Sequence, residues 1–315
     1  DEIQRVPELL SYIQGIVDEQ QIKGMFILTG SHQLELHAAI SQSLAGRTAI
    51  LKLLPFSLAE LKSSHLDMNL DQYLLTGMYP RIYQDKINPS KFYRDYVQTY
   101  LERDVRRMIN IKDLSLFQKF IKLCAGRTAQ IFNSNSLSNE IGVSHSTINS
   151  WLSILEASFL VFRLQPYFEN FGKRMIKSPK LYFTDVGLCC YLLDIFTTEQ
   201  VARDPLRGAL FENFIINEFV KQRLNDGYEP NYYYYRDSNN KEIDLIFKSG
   251  SNLTPIEIKS SQTFTPHFLD TLKYFKDISK GRCKSGYVIY AGDIEQQIDI
   301  FNVLNFNNIE NINLT

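Results

Sequence analysis

The chain has no long apolar run. None of its hydrophobic stretches is long enough to cross a bilayer, and no secretory leader is expected. A soluble, cytoplasmic protein with no membrane partner is expected. Cysteine is scarce, and Cys124, Cys189, Cys190 and Cys283 form no Cys-x-x-Cys pair. That excludes a dithiol redox motif and leaves buried free thiols as the ordinary reading. His32, His37, His65, His145 and His267 are scattered without zinc-ligand spacing. An excess of one charge is also missing. With 34 basic and 35 acidic residues the net charge is -1, so nucleic acid would have to be met by local patches. No Gly-x-x-x-x-Gly-Lys-Ser/Thr stretch occurs. Gly172-Lys173 runs into Arg174 and lacks the upstream glycine. The backbone cradle and lysine that grip nucleotide phosphates are therefore not in these 315 residues. The chain opens on Asp1-Glu2 where a methionine and a strand would ordinarily come first, so a missing natural N-terminus is expected.

What is present is globular: 44% apolar and 22% charged residues, enough chain for two or three cores. Met25–Ser31 and Thr48–Leu54 are short apolar runs that predict buried strands, with a helix near 33–44 between them. That alternation is α/β. From Ser57 to about Arg127 the pattern is helical, with Tyr93, Val97, Tyr100, Leu101, Val105 and Met108 on one stripe. Residues 134–158 predict a helix-turn-helix, with Gly142 in the turn and Ser144 or Ser146 capping the second helix. Strands at Phe159–Leu164 and within Met175–Phe183 would make it a winged helix. Its second helix has no lysine or arginine, leaving Ser146, Thr147 and Asn149 for contacts. Lys173, Arg174, Lys177 and Lys180 form a basic stretch suited to a wing near phosphate, although winged helices also serve as packing modules. Asn231–Arg236, with its four tyrosines, fits a central buried strand better than a base-stacking platform. The Asn-rich end, 305–315, predicts a polar edge strand or a frayed tail.

The last third carries the chemistry. A helix over Gly208–Leu224 holds Glu212. Strands follow near 231–237, 242–248 and 254–260, then a helix near 266–278 and a strand near 285–291. Glu257 and Lys259, two apart on a strand, share a face. A hairpin through Lys248–Asn252 brings Asp244 beside them. Two carboxylates on a rigid sheet suit a hard ion such as Mg²⁺, and a neighbouring lysine can hold or polarise a water. The bland alternative for a Glu-x-Lys strand is a solvated face.

Glu212, Asp244, Glu257 and Lys259 in this α-β-β-β-α-β order resemble the PD-(D/E)xK core of restriction-endonuclease-like domains. The resemblance implies that Asp244 and Glu257 bind the metal, with the Ile258 carbonyl as a third ligand. Lys259 would activate the water, and Glu212 would act through a second metal or a water. At the other end, Asp1-Glu2-Ile3-Gln4 resembles the end of a Walker B strand. By that resemblance Asp1 holds Mg²⁺ through water and Glu2 polarises the water that attacks ATP. Leu28-Thr29-Gly30-Ser31 resembles a sensor segment with Ser31 near the γ-phosphate, and Arg47 resembles an arginine finger or sensor. Arg103, Arg106 and Arg107 could reach phosphates across a subunit boundary in a homo-oligomer, the ordinary alternative being a solvated helix face. Leu54-Pro55-Phe56-Ser57-Leu58-Ala59-Glu60-Leu61, Tyr73–Pro80, Tyr100–Val105, Lys180–Leu188 and Gly208–Asn213 extend the likeness. Together the segments resemble prokaryotic AAA-type ATPases that carry a C-terminal domain of unknown function.

The expected fold is α/β and α+β multidomain. Residues 1–60 would be the later part of a P-loop ATPase core, 61–127 a helical lid, 128–200 a winged helix, and 201–315 the restriction-endonuclease-like domain. The implied cofactors are ATP in a full-length parent and Mg²⁺, and the implied partner is DNA. The alternative function is a regulatory or scaffold ATPase whose nuclease-like fold only binds nucleic acid or a protein.

Overall fold

The structure, a computed structural model, describes residues 1–30, 44–101, 113–168, 176–312 and 314. The described residues form a mixed α/β protein with two sheets. A 3-10 turn, Ile3–Arg5, leads into α1 (Leu9–Gln20). Leu10 and Ile13 of α1 close a small cluster with Ile3 and Leu44. The described parts of the two expected N-terminal strands are not strands. Ile27 is 89% exposed and Leu53 88% exposed. A strand needs a ladder partner for its N–H and C=O groups. Among the described residues, 25–30 has one such bond, Ile3 N to Thr29 O at 3.1 Å. The helix expected near 33–44 falls almost wholly outside the described residues, and so does Ser31.

The helical unit starts at α2 (Leu58–Ser63), where Ser57 and Glu60 form a capping box. α3 (Leu70–Thr76) repeats the device with Asn69 and Gln72. α4 (Pro80–Gln84) and α5 (Pro89–Tyr96) each begin on proline, whose fixed φ suits the first helical position. A π turn, Val97–Leu101, follows α5. Arg103, Arg106 and Arg107 lie outside the described residues.

Next come α6 (Leu114–Ala125), β1 (Gln130–Ile131), α7 (Ser134–Ile141), α8 (His145–Ala157), β2 (Val161–Leu164) and β3 (Lys180–Phe183). The strands form an antiparallel sheet in the order β1-β3-β2. Between α7 and α8, Gly142 takes a left-handed φ of 84°, a conformation that costs glycine nothing. Of the two candidate caps, Ser144 is the one used, accepting from Thr147 N at 3.1 Å. α9 (Val186–Leu192) and α10 (Thr198–Arg203) pack back on α3.

Asp185 joins these two units. Its buried carboxylate accepts from Met78 N (2.7 Å), Tyr93 Oη (2.6 Å) and Leu188 N (2.8 Å). Gly77 and Gly187 let the backbones meet there: a Cβ on Gly187 would lie 2.7 Å from Gly77 N.

The C-terminal unit runs α11 (Arg207–Asn225), β4 (Tyr232–Arg236), β5 (Glu242–Ser249), β6 (Asn252–Lys259), α12 (Asp270–Ile278), β7 (Gly286–Tyr290), β8 (Gln296–Ile298) and β9 (Phe301–Asn305). The six-stranded sheet has the order β4-β5-β6-β7-β9-β8, and β6 and β7 pair in parallel around α12. Strand alternation sorts its two faces. Leu245, Phe247, Ile256 and Ile258 join the core of α11, while Ile246, Leu253 and Val288 join the core under α12.

Two expectations change here. The tyrosine strand β4 is an edge strand, not a central one. Its buried state comes from the segment after β2, where Tyr167 N donates to Tyr234 O at 2.7 Å and Tyr234 N to Gln165 O at 3.1 Å. Among the described residues, the Asn-rich end is neither an edge strand nor a frayed tail. Phe306–Asn311 is a 3-10 turn that buries Phe306 and Ile309 against α11.

Candidate cation site at the sheet end

Leu245 pairs with Ile256 across β5 and β6. One further step of that antiparallel register sets Asp244 opposite Glu257, on one face. The apolar neighbours Ile256 and Ile258 point to the α11 side, so Glu257 and Lys259 point to the other. Lys259 Nζ lies 2.5 Å from Glu257 Oε1 and 3.9 Å from Asp244 Oδ2. Asp244 Oδ2 also accepts from Ile258 N at 2.8 Å, which fixes the carboxylate across the strand pair. Glu257 Oε2 accepts from Thr271 Oγ1 of α12 at 3.0 Å.

Asp244 and Glu257 are buried, and Lys259 keeps 35% of its side chain exposed. Burial pushes the Glu257 carboxyl up to about 8. The Asp244 charge adds to the rise and Lys259 opposes it. For Lys259 burial works against the charge, but the two carboxylates outweigh it and raise its pKa.

Glu212 comes from α11. Its Oε1 accepts from Lys180 Nζ at 2.9 Å and from Tyr182 Oη at 2.6 Å, both on β3. Burial pushes this carboxyl up to about 7, opposed by Lys180 and reinforced by Asp244. Lys180 also meets Glu242 Oε1 at 2.5 Å and is only 3% exposed. Lys180, expected in a basic wing facing phosphate, is therefore spent inside the protein on two carboxylates. Of that stretch Lys177 is exposed, and Lys173 and Arg174 lie outside the described residues.

The structure thus brings Asp244, Glu257 and Lys259 into contact. It sets Glu212 within electrostatic reach of them but holds it by Lys180 and Tyr182 of β3. Among the described residues no three His, Cys, Asp or Glu side chains are close enough to share a metal ion. A cation here would take two carboxylates and water, a donor set that fits Mg²⁺, which keeps several of its waters. Sequence reasoning gave Lys180 another role, in a basic wing, and missed Tyr182, Glu242 and Thr271. Glu242 was findable, because it lies two residues before Asp244 on the same strand. The others arrive from distant elements with no local signal.

The N-terminal candidates are placed differently. Asp1 Oδ1 accepts from Thr29 Oγ1 at 2.5 Å, so the acidic start and the Leu28–Gly30 segment are neighbours. Glu2 follows in a left-handed conformation, φ 52°. Arg47 is engaged by Asp18 through two bonds, at 2.5 and 2.9 Å, which holds the Asp18 carboxyl below its usual range. Arg47 thus already has a carboxylate on its fork, and no Gly-x-x-x-x-Gly-Lys-Ser/Thr stretch lies in these 315 residues.

Around the helix-turn-helix, His145, Ser146 and Asn149 are exposed, and Ser134 Oγ meets His145 Nε2 at 2.7 Å. Three nearby cations are paired with acids, Arg127 with Glu140, Arg163 with Glu156 and Lys122 with Asp194, and Lys119 Nζ donates to the Glu140 carbonyl at 2.9 Å.

Comparison with known proteins gives three contiguous matches. Residues 1–62 match the profile of an AAA domain. Residues 67–199 match a domain of unknown function (DUF8612), and 207–309 another (DUF4143). The chain is thus similar to an AAA domain over its first 62 residues and to two domains of unknown function over most of the remainder.

Among individual proteins, an uncharacterized protein of Mycobacterium tuberculosis and one of Mycobacterium bovis are each 29% identical over 265 residues. Those alignments cover 84% of this chain and 58% of each relative. An uncharacterized protein of Haemophilus influenzae is 23% identical over 266 residues, covering 80% of this chain and 63% of the relative. The chain thus spans about three fifths of the length of these curated relatives. Among the described residues no helix is long and apolar enough to cross a membrane.

Proposed function

We propose that the C-terminal unit is a PD-(D/E)xK-type, metal-dependent phosphodiesterase acting on DNA, attached through a winged-helix unit to an AAA-type ATPase. The observation that carries this reading is one ammonium, Lys259, touching two buried carboxylates, Asp244 and Glu257, at the end of a mixed sheet. Asp244 and Glu257 would hold Mg²⁺ or Mn²⁺. The bound ion supplies charge neutralisation at the phosphate and a water of lowered pKa. Lys259 orients the attacking water by donating a hydrogen bond. Thr271 and the Ile258 amide keep the two carboxylates in place. ATP hydrolysis belongs to the whole protein in this proposal, with Asp1, Glu2 and Ser31 on its Walker B and sensor segments.

The test is plasmid nicking by the chain with Mn²⁺ or Mg²⁺. Wild type nicks, and Lys259→Ala and Asp244→Asn do not. Wild-type nicking that survives both substitutions rules the reading out.

The second reading is a regulatory or scaffold ATPase with a nuclease-like fold that only binds. It is favoured by the paired cations around α7 and α8 and by the winged unit's packing on β4. Under it no cleavage occurs, and any binding of DNA or protein survives Lys259→Ala.

A further inference from the structure

β6 outruns its ladder with β5. The last pair of that ladder is Leu245 with Ile256, yet the strand continues to Lys259. Alternate residues of a strand turn their N–H and C=O groups to opposite edges. Beyond Ile256, the groups of Ile258 and Ser260 therefore face the edge where the β5 ladder has stopped, and those of Ser261 face β7. Side chains stand in for the missing ladder partners. Asp244 Oδ2 takes the Ile258 N–H at 2.8 Å, and Arg207 Nη1 donates to the Ser260 carbonyl at 2.8 Å. On the other edge Ala291 N donates to Ser261 O at 3.2 Å. The backbone on either side of Lys259 is thus pinned by groups from three elements.

Arg207 opens α11 and is itself held. Its Nε and Nη2 donate to Asp71 Oδ1 of α3, at 3.1 and 2.9 Å. Both side chains are largely covered, with 19% of Arg207 and 25% of Asp71 exposed. One planar guanidinium therefore ties the helical unit to the residue that follows Lys259, with three donors in a fixed fork that an ammonium cannot reproduce. We propose that Arg207, set by Asp71, is a positioning residue for Lys259: it fixes the stretch of chain from which the ammonium reaches Glu257 and Asp244. The helical unit then contributes to the candidate site without touching it. This inference rests on the reading of Lys259 as the group that orients the attacking water.

Arg207→Lys is the clean probe, because it keeps the charge and loses the fork. The full chain is acetylated at trace level, and the labelling of each lysine is read by mass spectrometry. In wild type Lys259, in contact with Glu257, labels slowly. In Arg207→Lys its labelling rises several-fold, while Lys180, 3% exposed on β3, stays protected. Asp71→Asn moves Lys259 the same way by a smaller amount, and it decides the matter if Arg207→Lys does not fold. Plasmid nicking at saturating substrate falls on the order of 10–100-fold in Arg207→Lys, with the KM for plasmid near that of wild type. Unchanged labelling of Lys259 in both variants, or an equal rise at Lys180, overturns the proposal and leaves the contact of Lys259 with the two carboxylates standing. A wild-type chain that does not nick sinks the phosphodiesterase reading instead, and the labelling alone then decides whether Arg207 positions Lys259.

Discussion

Lys259→Met isolates the electrostatics of the site. The substitution keeps the length of the side chain and removes the charge that faces Glu257 and Asp244. Removing one partner of a fully buried pair costs roughly 3–5 kcal/mol. Lys259 is 35% exposed, so solvent screens part of that, and about 1–3 kcal/mol is expected. The loss must also depend on pH. With its pKa pushed up to about 8, Glu257 carries a proton at pH 6 and needs the ammonium least there. Urea unfolding should show a small loss near pH 6 and the full loss near pH 9. Mn²⁺ at about a hundred times its dissociation constant adds roughly 2.7 kcal/mol to any chain that binds it. In Lys259→Met that gain should be at least as large as in wild type, because no ammonium competes for the carboxylates. A loss equal at both pH values, with no response to Mn²⁺, would refute the account of how the three side chains interact.

Other outcomes follow from the same geometry. Wild-type stability should fall as pH rises from about 5 to 8. Folded Glu212 and Glu257 keep protons, with pKa values near 7 and 8, that the unfolded chain releases near 4.5, so the stability they contribute is present at low pH and lost through those values. A flat unfolding free energy over that range speaks against the burial of these two carboxyls. Glu218 and Lys221 of α11 form a buried pair at 2.8 Å that grips the entry to α2 through Leu58 N and Phe56 O. Lys221→Met alone should cost roughly 3–5 kcal/mol by chemical denaturation, and much less when Glu218→Leu is added. Gly187→Ala puts a methyl 2.7 Å from Gly77 N, where backbone must move, so about 3 kcal/mol or failure to fold is expected, read as melting temperature. A melting point unchanged within error would show that the Asp185 junction yields.

The C-terminal unit was legible because its signals are local. Alternating and continuous apolar runs, a Lys-Ser-Gly-Ser-Asn turn and a helical stripe are properties of neighbours in sequence, and they set the α-β-β-β-α-β order. The helix-turn-helix was legible for the same reason, through Gly142 and the Ser144 cap. The N-terminal strands were not. Met25–Leu28 and Ile50–Leu54 have strand composition, but a strand exists only with a partner and a covering layer, and the described residues supply neither.

Residue spacing alone determined that Glu257 and Lys259 share a face and that Asp244 could reach them, because the period of a strand is two. Only tertiary structure decided what holds each group. Lys180 lies 32 residues from Glu212, and Thr271 lies 14 residues from Glu257. Charge pairing across such distances has no periodicity to betray it, since it is fixed by how units dock. That docking turned a lysine expected to face phosphate into a buried counter-ion for Glu212 and Glu242.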